Sequence, residues 1–305
     1  LITSVVLAAL LGLLGGCAAL RERAHPVDDG EPVDGSDPAA SRARTLTPMP
    51  RLLTDDGDGF VVIAHRGASG YAPENTMTAF RLAHEMRSEM VELDIMLTAD
   101  GVPVAFHDDD LAKTTDDEGS ISLRTLAELR ELEAGAWFAE EFDGEPIPTL
   151  DEVLEWASGR MSLNIEIKTE AWRASLDQSV EPRVVEAVRR HGMERHVLFS
   201  SFDYRVVARL KELAPEIPTA VLYEKSQSAG RGPVQTVRYL GADAFNCSWR
   251  ELTPEWLGEL KAAGIPVFIY TVNDPRRMRR LIEQGVTGIF SDYPDELGKA
   301  AAQSR

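Results

Sequence analysis

From Phe60 onward the chain predicts a (β/α)8 barrel, the TIM-barrel fold class, on three observations. Eight short apolar segments alternate with amphipathic helical patterns, as in α/β folds built on a parallel sheet. The alternation fills about 250 residues, the usual length of such a barrel. No GxGxxG sequence follows the first apolar segment, so the competing doubly wound sheet lacks its dinucleotide fingerprint.

Ahead of the barrel, residues 1–16 form an apolar run of signal-peptide length, shorter than the roughly 20 residues of a membrane-spanning helix. Leu14, Gly15, Gly16 and Cys17 resemble the lipobox of bacterial lipoproteins. That resemblance implies export, lipidation of Cys17 and anchoring in the cell envelope at the outer face of the membrane. Residues 17–59 are rich in Pro, Asp, Ser, Ala and Gly without a sustained period, and are expected to be a disordered tether. With Cys17 lipidated, only Cys247 remains of the two cysteines, so no internal disulfide is expected and Cys247 reads as a small buried apolar residue.

Within residues 60–305, strands are expected at FVVIA (60–64), VELDI (91–95), SLNIEI (162–167), HVLFSS (196–201), PTAVLY (218–223), AFNCS (244–248), PVFIYTV (266–272) and GIFSD (288–292). The helical patterns between them include ENTMTAFRLAHEMR, EPRVVEAVRRHG, YRVVARLKELA, WLGELKAAG and PRRMRRLIEQG. Gly192, Gly264 and Gly285 supply C-terminal stops, and Asp274-Pro275 a helix start. Asp100-Gly101 lies between LDIMLTA and VPVAFH, the signal of a hairpin. A two-residue loop would pair Ala99 with Val102 and bring His107 opposite Asp94. The interval of about 108–149, with TLAELRELEA and DGEPIP inside it, is too long for an ordinary loop and reads as a small insertion after the second strand.

Catalytic groups of a barrel belong at the C-terminal ends of its strands. There the first strand ends in His65 and Arg66, the second carries Glu92 and Asp94 two residues apart, and the third carries Asn164, Glu166 and Lys168 on one face. A lone histidine at a strand end is more often a satisfied polar residue than a catalyst, and V-E-L-D-I taken alone also fits a solvated edge. Strands of a parallel barrel are covered on both faces, however, so inward carboxylates need a partner or a cation. Glu92, Asp94 and Glu166 offer oxygen ligands to one hard divalent cation, Ca2+ or Mg2+. Zinc fits less well, since the clustered donors are carboxylates without a close histidine pair. Two imidazoles near neutral pKa, with Arg66 and Lys168 as anion binders, suit phosphoryl chemistry. The formal charge of −18 disfavours nucleic acid and anionic lipid surfaces as general partners, and no P-loop marks a nucleoside triphosphate site.

These residues resemble the glycerophosphodiester phosphodiesterases. The resemblance rests on HRG at 65–67, PENT at 73–76, E-x-D at 92–94, T-x-DG at 98–101, HD at 107–108 with Leu111 and TT at 114–115, E-x-K at 166–168, TVN at 271–273 and SDYP at 291–294. It implies a barrel with an insertion after strand two, and hydrolysis of a small-molecule glycerophosphodiester to glycerol 3-phosphate and an alcohol. Carried over by position, His65 and His107 would be the general acid/base pair and Glu92, Asp94 and Glu166 the metal ligands. Arg66 and Lys168 would bind phosphate. Tyr270, where many members have Trp, would form an aromatic wall beside the glycerol. Lys113 stands where arginine is common, a change expected to touch only the insertion. Glu74, Asn75 and Thr76 are expected to support the His65 loop, with Pro73 fixing the helix start. Two other readings share the sequence: a lysophospholipase D or sphingomyelinase D type activity, with Trp137, Phe138 and Phe142 lining an apolar groove or forming the insertion's core, and an inactive surface-tethered binding protein.

Overall fold

A computed structural model describes residues 59–304. The expected signal segment, Cys17 and the tether up to residue 58 lie outside the described residues. Among the described residues no helix is long and apolar enough to cross a membrane.

Eight parallel strands close into a barrel. They are β1 (Val61–Ala64), β2 (Met90–Leu97), β4 (Ser162–Ile167), β5 (Val197–Ser201), β6 (Thr219–Leu222), β7 (Ala244–Ser248), β8 (Val267–Tyr270) and β9 (Gly288–Ser291). Neighbours pair in chain order, and β1 closes the ring by pairing with both β9 and β2. The fold class read from the sequence is the one observed. A short strand, β3 (Pro103–Ala105), stands outside the ring and pairs antiparallel with the overhanging end of β2.

Helices cover the outer face: α1 (Met77–Glu85), α3 (Leu150–Ala157), α4 (Val180–Arg190), α5 (Tyr204–Leu213), α6 (Pro233–Leu240), α7 (Pro254–Ala262), α8 (Pro275–Gln284) and α9 (Pro294–Gln303). Asp274 caps α8 by accepting from the Arg277 amide, with Pro275 at the first helical position. Gly285 then ends the helix in the left-handed region at φ 78°. The outward side chains of the strands pack on these helices. Cys247 is buried among them beside Phe245 and Ile269.

Inward side chains form layers. The lower layer is an apolar plug of Val61, Ile63, Met90, Leu198, Ala220, Ala244, Phe268 and Phe290. The layer toward the C-terminal strand ends is polar, with Glu92, Asn164, Ser200 and Asn246 all buried. Strand alternation explains why both layers come from the same strands, since residues two apart share a face.

Three local expectations change. The hairpin loop has three residues rather than two: the Thr98 amide donates to Val102 O, and Gly101 closes the turn at φ 82°. Thr98 Oγ1 stabilises this loop by donating to Asp100 and accepting from the Val102 amide. The register therefore moves by one, with Ile95 opposite Ala105, and the Phe106 amide donates to Asp94 O. His107 is not opposite Asp94; it sits in the bend beyond β3. The helix expected to start at Pro73 begins at Met77, capped by Thr76, because Asn75 turns left-handed at φ 57°. The pattern TLAELRELEA yields only one turn, α2 (Leu126–Leu129), held by a capping box between Thr125 and Glu128.

The segment from residue 106 to residue 149 builds a small core of its own on the outer side of the hairpin, with Phe106, Leu111, Ile121, Leu129 and Ile147 packed on Met96 and Val104. Trp137, Phe138 and Phe142 are not part of that core. They stack edge to face on one another at 5.7 and 5.6 Å, with Trp137 exposed.

Candidate active site

The turn after β1 is built to present His65 and Arg66. Gly67 takes φ 83°, and a Cβ there would lie 2.6 Å from the Ala79 carbonyl carbon, so only glycine lets the turn rest on α1. Arg66 itself is left-handed at φ 55°, a conformation that persists where its surroundings determine it. Here its amide donates to Glu92 Oε2 at 2.8 Å, and its guanidinium pairs with Glu74 at 2.8 Å and lies 3.3 Å from Asp94 Oδ2.

Strands β2 and β4 bring the acids together through register. Asp94 lies beside Glu166, and Glu92 beside Asn164. Oxygens of Glu92, Asp94 and Glu166 all fall within 4.8 Å of one another. Asn75 brackets Asp94, donating from Nδ2 to Oδ2 at 3.0 Å and accepting the Asp94 amide on Oδ1 at 3.1 Å. Lys168 Nζ spans the two strands, 2.9 Å from Glu166 and 3.3 Å from Asp94.

Electrostatics divides the three carboxyls. Burial works to raise Asp94, and Lys168, Arg66 and His107 override it, setting its pKa at about 2. Glu92 is not rescued in this way: burial, then the charges of Asp94 and Glu166, push it well above 4.5, outweighing the charge and backbone amide of Arg66. Glu166 is raised by burial and by Asp94, against the pull of Lys168. Lys168 and Arg66 stay protonated despite burial because the carboxylates face them. Three acids against two bases leave a buried excess of negative charge, the condition a divalent cation relieves. The all-oxygen donor set suits Ca2+ or Mg2+.

A cavity of about 210 Å3 opens over this cluster. His65, Arg66, Glu92, His107, Glu166 and Lys168 line one side, and Phe202, Leu222, Tyr270 and Phe290 the other. Tyr270 meets Phe202 and Phe290 edge to face at 5.8 and 6.4 Å, so it does form part of an aromatic wall. Asp94 is buried and does not itself line the cavity. Trp137, Phe138 and Phe142 do not line the cavity. All eight expected site residues of the barrel thus converge on one end, including His107 despite the shifted register.

The two histidines sit in different surroundings. His65 Nδ1 is 2.7 Å from Asp292 Oδ1. His107 Nδ1 is buried 3.3 Å from Asp108 without hydrogen-bond alignment. Burial lowers the His107 pKa, Lys168 and Arg66 add to that, and Asp94 and Asp108 oppose it. Lys113 holds Asp108 at 2.7 Å, a contact within the insertion that reaches the chain neighbour of His107. Sequence reasoning gave Asp292 no role, although SDYP ends a barrel strand, the place where functional side chains gather. It also missed how Asn75 clamps Asp94, a contact no local spacing reveals.

Residues 65–296 match the Glycerophosphoryl diester phosphodiesterase family. The chain is 36% identical over 238 residues to the glycerophosphodiester phosphodiesterase of Caldanaerobacter subterraneus subsp. tengcongensis, covering 78% of this chain and 96% of the relative. With the glycerophosphodiester phosphodiesterase of Bacillus subtilis it shares 31% identity over 273 residues, 86% of this chain and 90% of the relative. Among solved structures, an Oleispira antarctica phosphodiesterase in complex with the product sn-glycerol-3-phosphate aligns with a TM-score of 0.73 at 37% identity, over 79% of this chain and 96% of that one. A family match from the turn after the first strand to the start of the last helix, on a barrel of the same architecture, makes this chain a member of the glycerophosphoryl diester phosphodiesterase family of enzymes.

Proposed function

We propose that the enzyme hydrolyses glycerophosphodiesters to glycerol 3-phosphate and an alcohol, with one divalent cation and with His65 and His107 moving protons. One observation carries the reading: both histidines, two cationic side chains and a compact group of three carboxylates meet at one cavity. A Ca2+ or Mg2+ ion held by Glu92, Asp94 and Glu166 would supply charge to polarise a phosphoryl oxygen. Arg66 and Lys168 orient the phosphate and stabilise its developing charge. One imidazole takes the proton of the attacking glycerol hydroxyl, and the other gives a proton to the departing alcohol oxygen. Water then opens the cyclic phosphate with the proton transfers reversed. Tyr270, Phe202 and Phe290 exclude water from the carbon face of the glycerol.

Glycerol 3-phosphate release from glycerophosphocholine tests this, with and without chelator and again with His65→Ala. Release that survives both the chelator and the substitution would sink the mechanism. A parallel assay on lysophosphatidylcholine separates this reading from a lysophospholipase D type activity on the same scaffold. We further propose that the protein is exported and held at the membrane through Cys17. Membrane retention of the Cys17→Ser chain would refute that anchor.

A further inference from the structure

His65 is held by a residue that neither belongs to the carboxylate cluster nor lines the cavity. Asp292 follows β9, and its Oδ1 lies 2.7 Å from His65 Nδ1 although 227 residues separate the two in the chain. A hydroxyl and an amide fix that carboxylate. Ser69 Oγ, whose closer acceptor is His65 O at 2.7 Å, also lies 3.1 Å from Oδ1, and Asn273 Nδ2 donates to Oδ2. The amide orientation of Asn273 is itself determined, since its Oδ1 accepts from the Asp292 amide at 3.0 Å and from Ser291 Oγ at 3.1 Å.

An ionised carboxylate only accepts hydrogen bonds, so Nδ1 of the neutral imidazole must carry the proton and the lone pair falls on Nε2. Burial works to raise Asp292, and His65 with Asn273 and Ser69 overrides it, keeping the carboxyl below its usual range. His107 has no equivalent, because its Nδ1 makes no hydrogen bond.

We infer that Asp292 is a positioning residue for the phosphodiester reaction: it fixes the His65 ring with Nδ1 protonated and Nε2 turned to the substrate, and it stabilises the imidazolium formed when Nε2 takes a proton. This rests on the proposed function, in which His65 moves a proton. Ser69 and Asn273 hold the carboxylate in the plane the ring requires. A merely structural tie between the first and last strands would leave the tautomer and the turnover number alone.

The test uses the full chain carrying Asp292→Asn, with kinetics on glycerophosphocholine and 15N NMR of the histidine rings. An asparagine amide donates to Nδ1 and moves the ring proton to Nε2. The expected results are a fall in kcat of about a thousandfold, the size of a lost general acid–base contribution, KM within about threefold, and an Nε2-protonated His65. Asp292→Glu recovers part of kcat. A kcat within tenfold of wild type, or a ring that stays protonated on Nδ1, overturns the assignment. Should Asp292→Asn fail to fold, Asn273→Ala keeps the carboxylate and removes its tether; it is expected to lower kcat roughly tenfold at constant KM, and an unchanged kcat refutes the role. A wild-type chain inactive on glycerophosphodiesters would instead remove the proposed function, while the NMR arm still reports the tautomer.

Discussion

The two ends of the barrel interior come from the same strands and are chemically opposite. Val61 and Ile63 lie in the apolar plug, and His65 two residues later faces the cavity; Met90 lies in the plug, and Glu92 and Asp94 follow it at the same spacing. Residue identity alone changes between them, since backbone, pleat and direction are shared. The plug adds stability through apolar burial and needs no partner. In the charged layer Glu92 and Asp94 are buried as deeply, and the layer is not self-sufficient, because Glu92 is pushed up by burial and by its neighbours. One layer supplies apolar stability and the other the charge of the candidate site, and the second leans on the first.

The sharpest way to break that division is to remove function without touching the plug. His65→Ala is expected to lower kcat by about a thousandfold, roughly 4 kcal/mol of transition-state stabilisation, with little change in melting temperature. The mirror experiment is Phe268→Ala, which empties a fully buried position of the plug. It is expected to cost about 3–5 kcal/mol of stability in denaturant unfolding. Specific activity of the folded fraction should change several-fold at most. A plug variant that abolishes turnover while folded would show the layers to be inseparable.

Glu92 sharpens the comparison through pH. Its folded pKa lies above 4.5, so the folded state holds a proton that the unfolded chain releases earlier, and Glu166 acts in the same sense. In metal-free protein, stability is therefore lost as pH rises from the ordinary glutamate range through the folded values. Asp94, lowered to about 2, adds the opposite slope only below the usual aspartate value of 3.8. Glu92→Gln should flatten the upper slope in metal-free unfolding curves and abolish activity. Saturating Ca2+ or Mg2+ should stabilise the wild type by about 2.7 kcal/mol at a hundredfold excess over Kd, and the variant by less. The smallest effect belongs to Lys113→Ala. An ion pair whose lysine is mostly exposed is worth under about 1 kcal/mol, so only a few-fold change in kcat is expected, through loosening of Asp108 beside His107.

Most of the barrel was legible because alternation of strands and helices is a local signal repeated along the chain. The three carboxylates were legible for the same reason, since V-E-L-D-I and N-I-E-I-K place charge at the inward period of a buried strand. What escaped depended on backbone detail or on distance. Thr98 sets the hairpin register through its own side chain, so counting from Asp100-Gly101 misplaced His107 by one position. Asn75 leaves the helix to bracket Asp94, overriding the start that Pro73 suggested. Asp292 meets His65 only because the ring closes between β9 and β1, a contact that exists in three dimensions and nowhere in local sequence.

The hairpin that leads to His107 hangs outside the closed ring, paired with the overhanging end of β2 and bridged at Val104 to Thr149. The ring is complete without it, so barrel closure does not depend on the strand that leads to His107. That makes the hairpin and the segment behind it an interchangeable arm. Lengthening, shortening or regrafting it would re-aim His107 and reshape the rim while the scaffold that holds Glu92, Asp94 and Glu166 stays intact.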